Sequence, residues 1–441
     1  MSVKADRIEA LLSRFFPGSG DELVVGGLSV GPLAERFGTP LYVYDAEIMD
    51  RKWSALRHAY PPEFSVYYSV KANPNRAVLR HFLEKGCGLE VASVGELGQA
   101  LAAGCPAERI LFAGPGKTEA ELERAVSRAI GEIHIESRLE AQRIGSIARR
   151  LGLRPRVAVR VNPAPDAQGG AMRMGGKPAP FGVDEEQLED MLALIEADPY
   201  LDLRGLHLFA GTQILDHTVL IAQYRHGLGI ARRAAGRLGR PLETLDFGGG
   251  LGIPYFDNEG ELDVDKLREG LRGLMSEVEG DPALAGTRFV VEPGRYLVGE
   301  AGIFVTRITD VKTSRGRRFV VLDGGMNQHL AASGNLGQVI KRNYPVAVAN
   351  HLRRPRDTRT EVVGPLCTPL DTLARDVMLA SAEAGDLFVI FQSGAYGLTA
   401  SPVGFLGHPI PAEVLVASGT ARLIRPRTDS YPAHPEDSSC A

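Results

Sequence analysis

The sequence predicts a (β/α)8 barrel joined to a second, β-rich domain, and three observations carry that expectation. Short apolar runs alternate with amphipathic stretches from about residue 40 onward, the runs reach eight, and beyond Glu300 strand patterns follow one another without helices. The eight runs are "FSVYYSVKA" (64–72), "GLEVAS" (88–93), "ILFAG" (110–114), "EIHIES" (132–137), "RVAVRVN" (156–162), "LRGLHLFAG" (203–211), "TLDFGGG" (244–250) and "RFVVEPG" (288–294). Between them, segments such as "TEAELERAVSRA" and "VDKLREGLRGLMSEVEG" space their apolar residues three and four apart, the helical period. Later stretches, "GIFVTRITDVKTS", "RRFVVLDGG", "DLFVIFQSGAY" and "PAEVLVASG" among them, read as strands. These patterns place the barrel at 38–298 and the β-rich domain at 1–37 and 299–424. The polar, proline-bearing tail 425–441 is expected to be disordered.

Bulk composition narrows the function. The chain has 441 residues, 44% hydrophobic and 24% charged, with a formal charge of -4, so it lacks the basic field that would hold a nucleic-acid backbone. No apolar run is long enough to cross a bilayer, and the N-terminus lacks the apolar core of a signal peptide. Cys87, Cys105, Cys367 and Cys440 are scattered without CxxC pairing, which argues against a zinc site and a disulfide framework and fits a reducing cytoplasm.

Chemistry in such a barrel collects at the C-terminal ends of the strands. Strand one delivers Lys71, strand two Glu90 and Ser93, and strand five Asn162. Strand six delivers His207, Phe209 and Thr212, strand seven Gly248, Gly249 and Gly250, and strand eight Glu292 with Arg295. Three glycines after a strand let an anion approach backbone N–H groups; alone they read more readily as a tight turn, but Thr212 one strand earlier and Arg295 one strand later make the phosphate cradle the better reading. Glu292 follows residues that belong in the barrel wall, where an unpaired carboxylate is costly, so it needs a cationic or protonated partner. Arg295, three residues on, is one candidate and a protonated cofactor ring nitrogen the other. For His207 the ordinary explanation is a satisfied core histidine, and no metal site is expected. A lysine, a phosphate cradle and a carboxylate for a pyridinium together fit pyridoxal 5'-phosphate, which needs a Schiff-base amine, a ring-nitrogen partner and a phosphate seat.

The motifs "YYSVKAN", "GLEVASVGEL", "HLFAGTQ", "DFGGGLG", "EPGRYLV", "LDGGM", "GPLCTPLD" and "SGAYG" resemble, in order over about residues 35–420, the fold-type III pyridoxal-phosphate decarboxylases, the group acting on diaminopimelate, ornithine and arginine. The resemblance implies a homodimer with shared active sites. It makes Lys71 the Schiff-base lysine and Glu292 the pyridinium partner, with Thr212, Gly249, Gly250, Arg295 and Tyr396 at the phosphate end. It places Glu90, His207, Phe209 and Gly294 around the cofactor, and Arg295, His329, Thr368, Asp371 and Tyr396 around the substrate. Cys367, entering from the other subunit, would return a proton to the substrate carbon.

Departures from the family pattern bear on substrate. Phe209 replaces the histidine that stacks on the cofactor ring, and Glu90 replaces an aspartate. Thr368 follows the cysteine where diamino-acid decarboxylases carry an acidic group for the distal ammonium, and "NQHLAASGNLGQ" lacks the arginine and tyrosine that grip a distal carboxylate. The stretches "AMRMGGKPAPFGVDEE", "GPLCTPLD" and "SPVGFLGHPIP" resemble the branch that includes the butirosin-pathway decarboxylase of a carrier-bound glutamyl group. The expected function is decarboxylation of an acylated or carrier-bound amino acid. The alternatives are diaminopimelate decarboxylation, an alanine-racemase-like activity, a catalytically inactive cofactor-binding regulator, and a barrel that binds some other phosphate. The racemase-like branch relies on a partner tyrosine where this chain offers Cys367.

Overall fold

The computed structural model describes residues 6–164, 172–173, 178–209, 211–338 and 340–429. Much of "AMRMGGKPAPFGVDEE" and the tail beyond residue 429, Cys440 included, lie outside the described residues. Among the described residues no helix is long and apolar enough to cross a membrane.

All eight expected barrel strands form: β1 (Phe64–Ser69), β2 (Gly88–Val91), β3 (Ile110–Phe112), β4 (Glu132–Ile135), β5 (Arg156–Asn162), β6 (Asp202–Leu208), β7 (Thr244–Asp246) and β8 (Arg288–Val291). Each pairs in parallel with its sequence neighbours, and β8 with β1 and β4 with β5 complete the ring. Parallel strands buried on both faces read as near-continuous apolar runs, which is why they were legible. The helices cover the barrel for the reason their spacing gives. In Arg76–Glu84 the inward face is Val78, Leu79 and Phe82, and Asn75 caps its start by accepting from Ala77 N at 3.0 Å. The strand-one run therefore ends earlier than its apolar composition suggests, with Lys71 in a single 3-10 turn, Val70–Ala72.

The chain divides into two compact units, one of residues 52–253 and 260–296 and one of residues 1–51, 254–259 and 297–441. The first division between the units falls at residues 51 and 52, where the sequence led to an expectation of residue 38. The strand Leu41–Asp45 belongs to the second unit, antiparallel to β9 (Gly302–Ser314) and parallel to the strand Ala412–Ala417. All five of its residues are buried, so no alternation marked which sheet it would join. β9 is the spine of this unit: its first half pairs with Leu41–Asp45 and with Leu387–Ile390, and its second half with Arg317–Leu322.

In the barrel, β6 passes so close to β7 that a Cβ on Gly205 would lie 2.1 Å from the Thr244 carbonyl oxygen. Gly205→Ala is expected to lower stability by about 1–3 kcal/mol through overpacking, seen as a lower denaturation midpoint with an unchanged slope.

Candidate active site

Parallel strands put all their C-terminal ends on one side of the barrel, and the residues there interlock. Lys71 is exposed, with Nζ 3.2 Å and 3.4 Å from the two carboxylate oxygens of Glu90. Glu90 ends β2, is 1% exposed, and also accepts from Ser69 Oγ at 2.6 Å. Ser93 has a local duty, capping the helix Val94–Ala103 through Glu96 N, and Asn162 donates to Asp184 at 2.8 Å.

Phe209 lies half-buried past the end of β6, its ring centroid 5.9 Å from Lys71 Nζ. The guanidinium of Arg160 is 6.0 Å from the same ring and 5.2 Å from Phe181, a cation–π arrangement that braces the aromatic where the family has histidine. Arg160 is itself fixed by Glu136 at 2.7 Å, and Glu136 also accepts from Gly114 N and Gly182 N. Burial alone would push the Glu136 carboxyl up, but Arg160, Lys117 and the Gly182 amide outweigh it and hold it below its ordinary value.

The glycine turn is held by its neighbours. Gly248 and Gly250 have φ of +66° and +105°, and a Cβ would approach the Leu208 carbonyl oxygen to 2.7 Å from Gly248 and the Glu292 carbonyl oxygen to 2.5 Å from Gly249. Both backbone shape and space therefore demand glycine there. Thr212 is half-buried, in a short strand Gly211–Thr212 beside that turn, since the next residues bridge to it through Ile214 and Leu251. Gly294 packs rather than merely borders the cofactor face: its Cβ would meet Ala72 Cβ at 2.9 Å and Ser69 Cβ at 3.1 Å, the residues that bracket the Lys71 turn. Arg295 begins the short helix Arg295–Val298 directly after it.

Glu292 is 4% exposed, with Oε2 3.5 Å from His207 Nε2, and Oε1 makes no hydrogen bond among the described residues. Burial works to raise this carboxyl, yet the imidazoles of His207 and His134 and the Lys71 ammonium carry it well below the carboxylate range. Burial pushes His207 down to about 4 against the pull of Glu292, so its ring is neutral near pH 7. The structure thus replaces the expected isolated core histidine by a pair, since the His134 ring lies 4.4 Å from that of His207. His134, Asp246, Arg160 and Glu136 were not singled out from the sequence. Their signal was a set of ionisable residues inside runs that otherwise read as barrel wall.

In the second unit, Cys367 is an exposed free thiol and Thr368 is half-buried. Tyr396 is half-buried at φ +53°, a strained backbone position of the kind found at functional residues. Two of the expected substrate positions are buried and hydrogen-bonded within the unit. His329 is 0% exposed, with Nε2 2.9 Å from Ser393 Oγ among the rings of Tyr42, Phe304 and Tyr344. Asp371 is 2% exposed and accepts from Met326 N at 2.7 Å and Leu366 N at 2.9 Å, so its carboxylate ties two loops together. Both positions carry core polarity that sequence alone does not distinguish from a binding group.

A barrel face that presents a lysine, an aromatic plate, a glycine turn and a buried carboxylate with a free oxygen defines a pyridoxal-phosphate enzyme. The unpartnered Glu292 Oε1 is the observation that fits the cofactor, because a pyridinium N–H would satisfy it. The chain belongs to the pyridoxal-dependent decarboxylases: residues 46–299 match the family's pyridoxal-binding domain. It is 39% identical over 396 residues to an L-glutamyl-[BtrI acyl-carrier protein] decarboxylase of Niallia circulans, covering 89% of this chain and 92% of that one. It is 31% identical over 378 residues to a 2-[(L-alanin-3-ylcarbamoyl)methyl]-2-hydroxybutanedioate decarboxylase of Staphylococcus aureus, covering 84% and 92%. Its fold superposes on a diaminopimelate decarboxylase of M. jannaschii in complex with L-lysine with a TM-score of 0.85 at 27% identity, covering 93% and 94% of the two chains.

Lys71 is exposed, so Lys71→Ala is expected to leave the thermal melt unchanged while abolishing the visible absorbance of covalently held pyridoxal phosphate. A retained band in the variant would remove Lys71 from its role.

Proposed function

We propose that this decarboxylase acts on an amino acid whose distal end is masked by an acyl linkage, a carrier-bound glutamyl group being the leading class. The observation that carries the reading is the state of Asp371, whose two oxygens are occupied by backbone amides. With Thr368 in place of an acid and His329 sealed in the core, these expected substrate positions offer no free charge for a distal ammonium or carboxylate. A neutral thioester or amide asks for no such charge, and burying an ionised group without a partner would be costly. Because the reaction needs the α-amine and α-carboxylate free, the masking bond must lie on the side chain, which for a glutamyl group means its side-chain carboxyl. The relatives' names support this, one acting on a carrier-bound glutamyl group and another on an amino acid held through an amide.

Bound pyridoxal phosphate supplies an electron sink for the pair left when CO2 departs. This chain's residues do the rest. Lys71 anchors the cofactor and yields to the substrate amine, Glu292 keeps the ring-nitrogen proton in place, and Phe209, braced by Arg160, covers a ring face. Thr212, Gly249, Gly250, Arg295 and Tyr396 seat the phosphate. Cys367 of the partner subunit returns a proton to the substrate carbon, which makes the active form a homodimer with shared sites. The unpaired cysteine pattern supports a reducing cytoplasm as its setting.

Two measurements check this. CO2 release should favour a glutamate side-chain thioester of phosphopantetheine over free diaminopimelate by at least about tenfold in kcat/KM. Efficient turnover of diaminopimelate would overturn the substrate reading and leave the reaction class intact. Separately, mixing inactive Lys71→Ala and Cys367→Ala dimers under subunit exchange should restore about a quarter of native activity, since half the dimers would carry one intact site. No recovery would rule out shared sites.

A further inference from the structure

Barrel interiors are ordinarily filled by branched apolar side chains, and Tyr67, Leu111 and Val290 form such a cluster here. The same interior also holds a polar column that the reaction as described does not explain. Thr244 Oγ1 donates to Glu132 Oε2 at 2.7 Å, Glu132 Oε1 lies 3.2 Å from His134 Nε2, the tilted His134 ring packs against His207, and His207 Nε2 lies 3.5 Å from Glu292 Oε2. Asp246, 1% exposed, flanks the column and accepts from Gly248 N at 2.7 Å through Oδ1. One ligand atom from each of His134, His207, Asp246 and Glu292 lies within 4.8 Å of the others. Both nitrogens of both histidines, Asp246 Oδ2 and Glu292 Oε1 make no hydrogen bond among the described residues.

So many buried polar atoms without a protein partner require protons placed between them, bridging water, or an ion. Two carboxylates at this separation cannot both ionise cheaply. Glu292 is the member with favourable company, facing the Lys71 ammonium and the imidazoles of His207 and His134, with Arg160 acting on His207 from beside it. Asp246 is faced by Glu292 and Glu132, both acidic, and by a single amide. A divalent cation would also satisfy the atoms, but it would neutralise the charge that Glu292 needs for a pyridinium.

We propose that Asp246 is a positioning residue that stores a proton as a carboxylic acid donating to Glu292, and that the His134–His207 pair completes the seat, so that Glu292 meets the cofactor ring as an anion. Burial and the neighbouring Glu292 charge both push the Asp246 carboxyl well above its ordinary value, in agreement. The inference rests on Glu292 being the ring-nitrogen partner, but the stored proton exists without the cofactor and is tested without it.

The test is infrared spectroscopy of cofactor-free protein at neutral pH, comparing native chain with Asp246→Asn, followed by titration of each with pyridoxal phosphate. A carboxylic-acid carbonyl band is expected in the native protein and absent from the variant. Cofactor affinity in Asp246→Asn should stay within about threefold, because the Asn amide donates the same hydrogen bond, whereas Glu292→Gln should weaken it by about tenfold or more. Carbon-13 NMR of labelled aspartates in the native chain repeats the measurement should the variant not fold. No protonated aspartate, a band that persists in Asp246→Asn, or a stoichiometric divalent metal in the purified protein would overturn the proposal. A protonated Asp246 with Glu292→Gln binding the cofactor normally would instead overturn the role given to Glu292.

Discussion

Everything on the cofactor face is organised around keeping one carboxylate, Glu292, charged inside a protein interior. An uncompensated buried carboxylate would neutralise itself or unfold its surroundings. The barrel meets that constraint by fixing the strand end that carries it on both sides. The Gly248 carbonyl accepts from Glu292 N at 2.8 Å, and the following Pro293 carbonyl accepts from Ser69 N at 3.3 Å. Gly294 then fits against Ser69 and Ala72 with no room for a side chain. The carboxylate, the lysine turn and the glycine turn are consequently one mechanical unit, and none can shift without moving the other two.

A second ionic layer serves the aromatic plate. Lys117 Nζ contacts Glu140 at 2.6 Å and the carbonyls of Gly114 and His134 at 2.7 and 2.8 Å, while Glu140 accepts from Glu136 N at 2.6 Å. Glu136 in turn holds Arg160 against Phe209. Lys117 with Glu140 and Arg160 with Glu136 are each paired with a charge of opposite sign, and backbone groups serve Lys117, Glu140 and Glu136 as well, which is the condition under which buried ion pairs are tolerated. With the Arg160 guanidinium on one face of the Phe209 ring, the other face is left open to stack in the role proposed for it.

The barrel was legible because buried parallel strands announce themselves as apolar runs with helical spacers between them, and the lysine, Glu292 and glycine turn were legible because polar groups at strand ends interrupt that pattern. Leu41–Asp45 pairs with strands of the second unit, and a strand buried on both faces carries no mark of its partner in the sequence. His329 and Asp371 looked available for substrate because a polar residue beside a motif reads the same whether it faces a ligand or closes a loop. His134 and Asp246 escaped notice for a related reason. One residue at a time, an inward-facing histidine or aspartate is unremarkable; only the closed ring brings strands four, six, seven and eight together and makes them a cluster.

The Glu90–Lys71 ion pair has a consequence for the enzyme before it acquires its cofactor. An amine held as an ammonium against a buried carboxylate is no nucleophile, so the empty site does not react indiscriminately with sugars, ketoacids or other carbonyl compounds. Under the proposed roles, an aldehyde with a phosphate for the glycine turn and a ring nitrogen for Glu292 would be held in place while Lys71 gives up its proton. Selectivity for the cofactor is then set by dwell time in the seat rather than by the reactivity of the lysine.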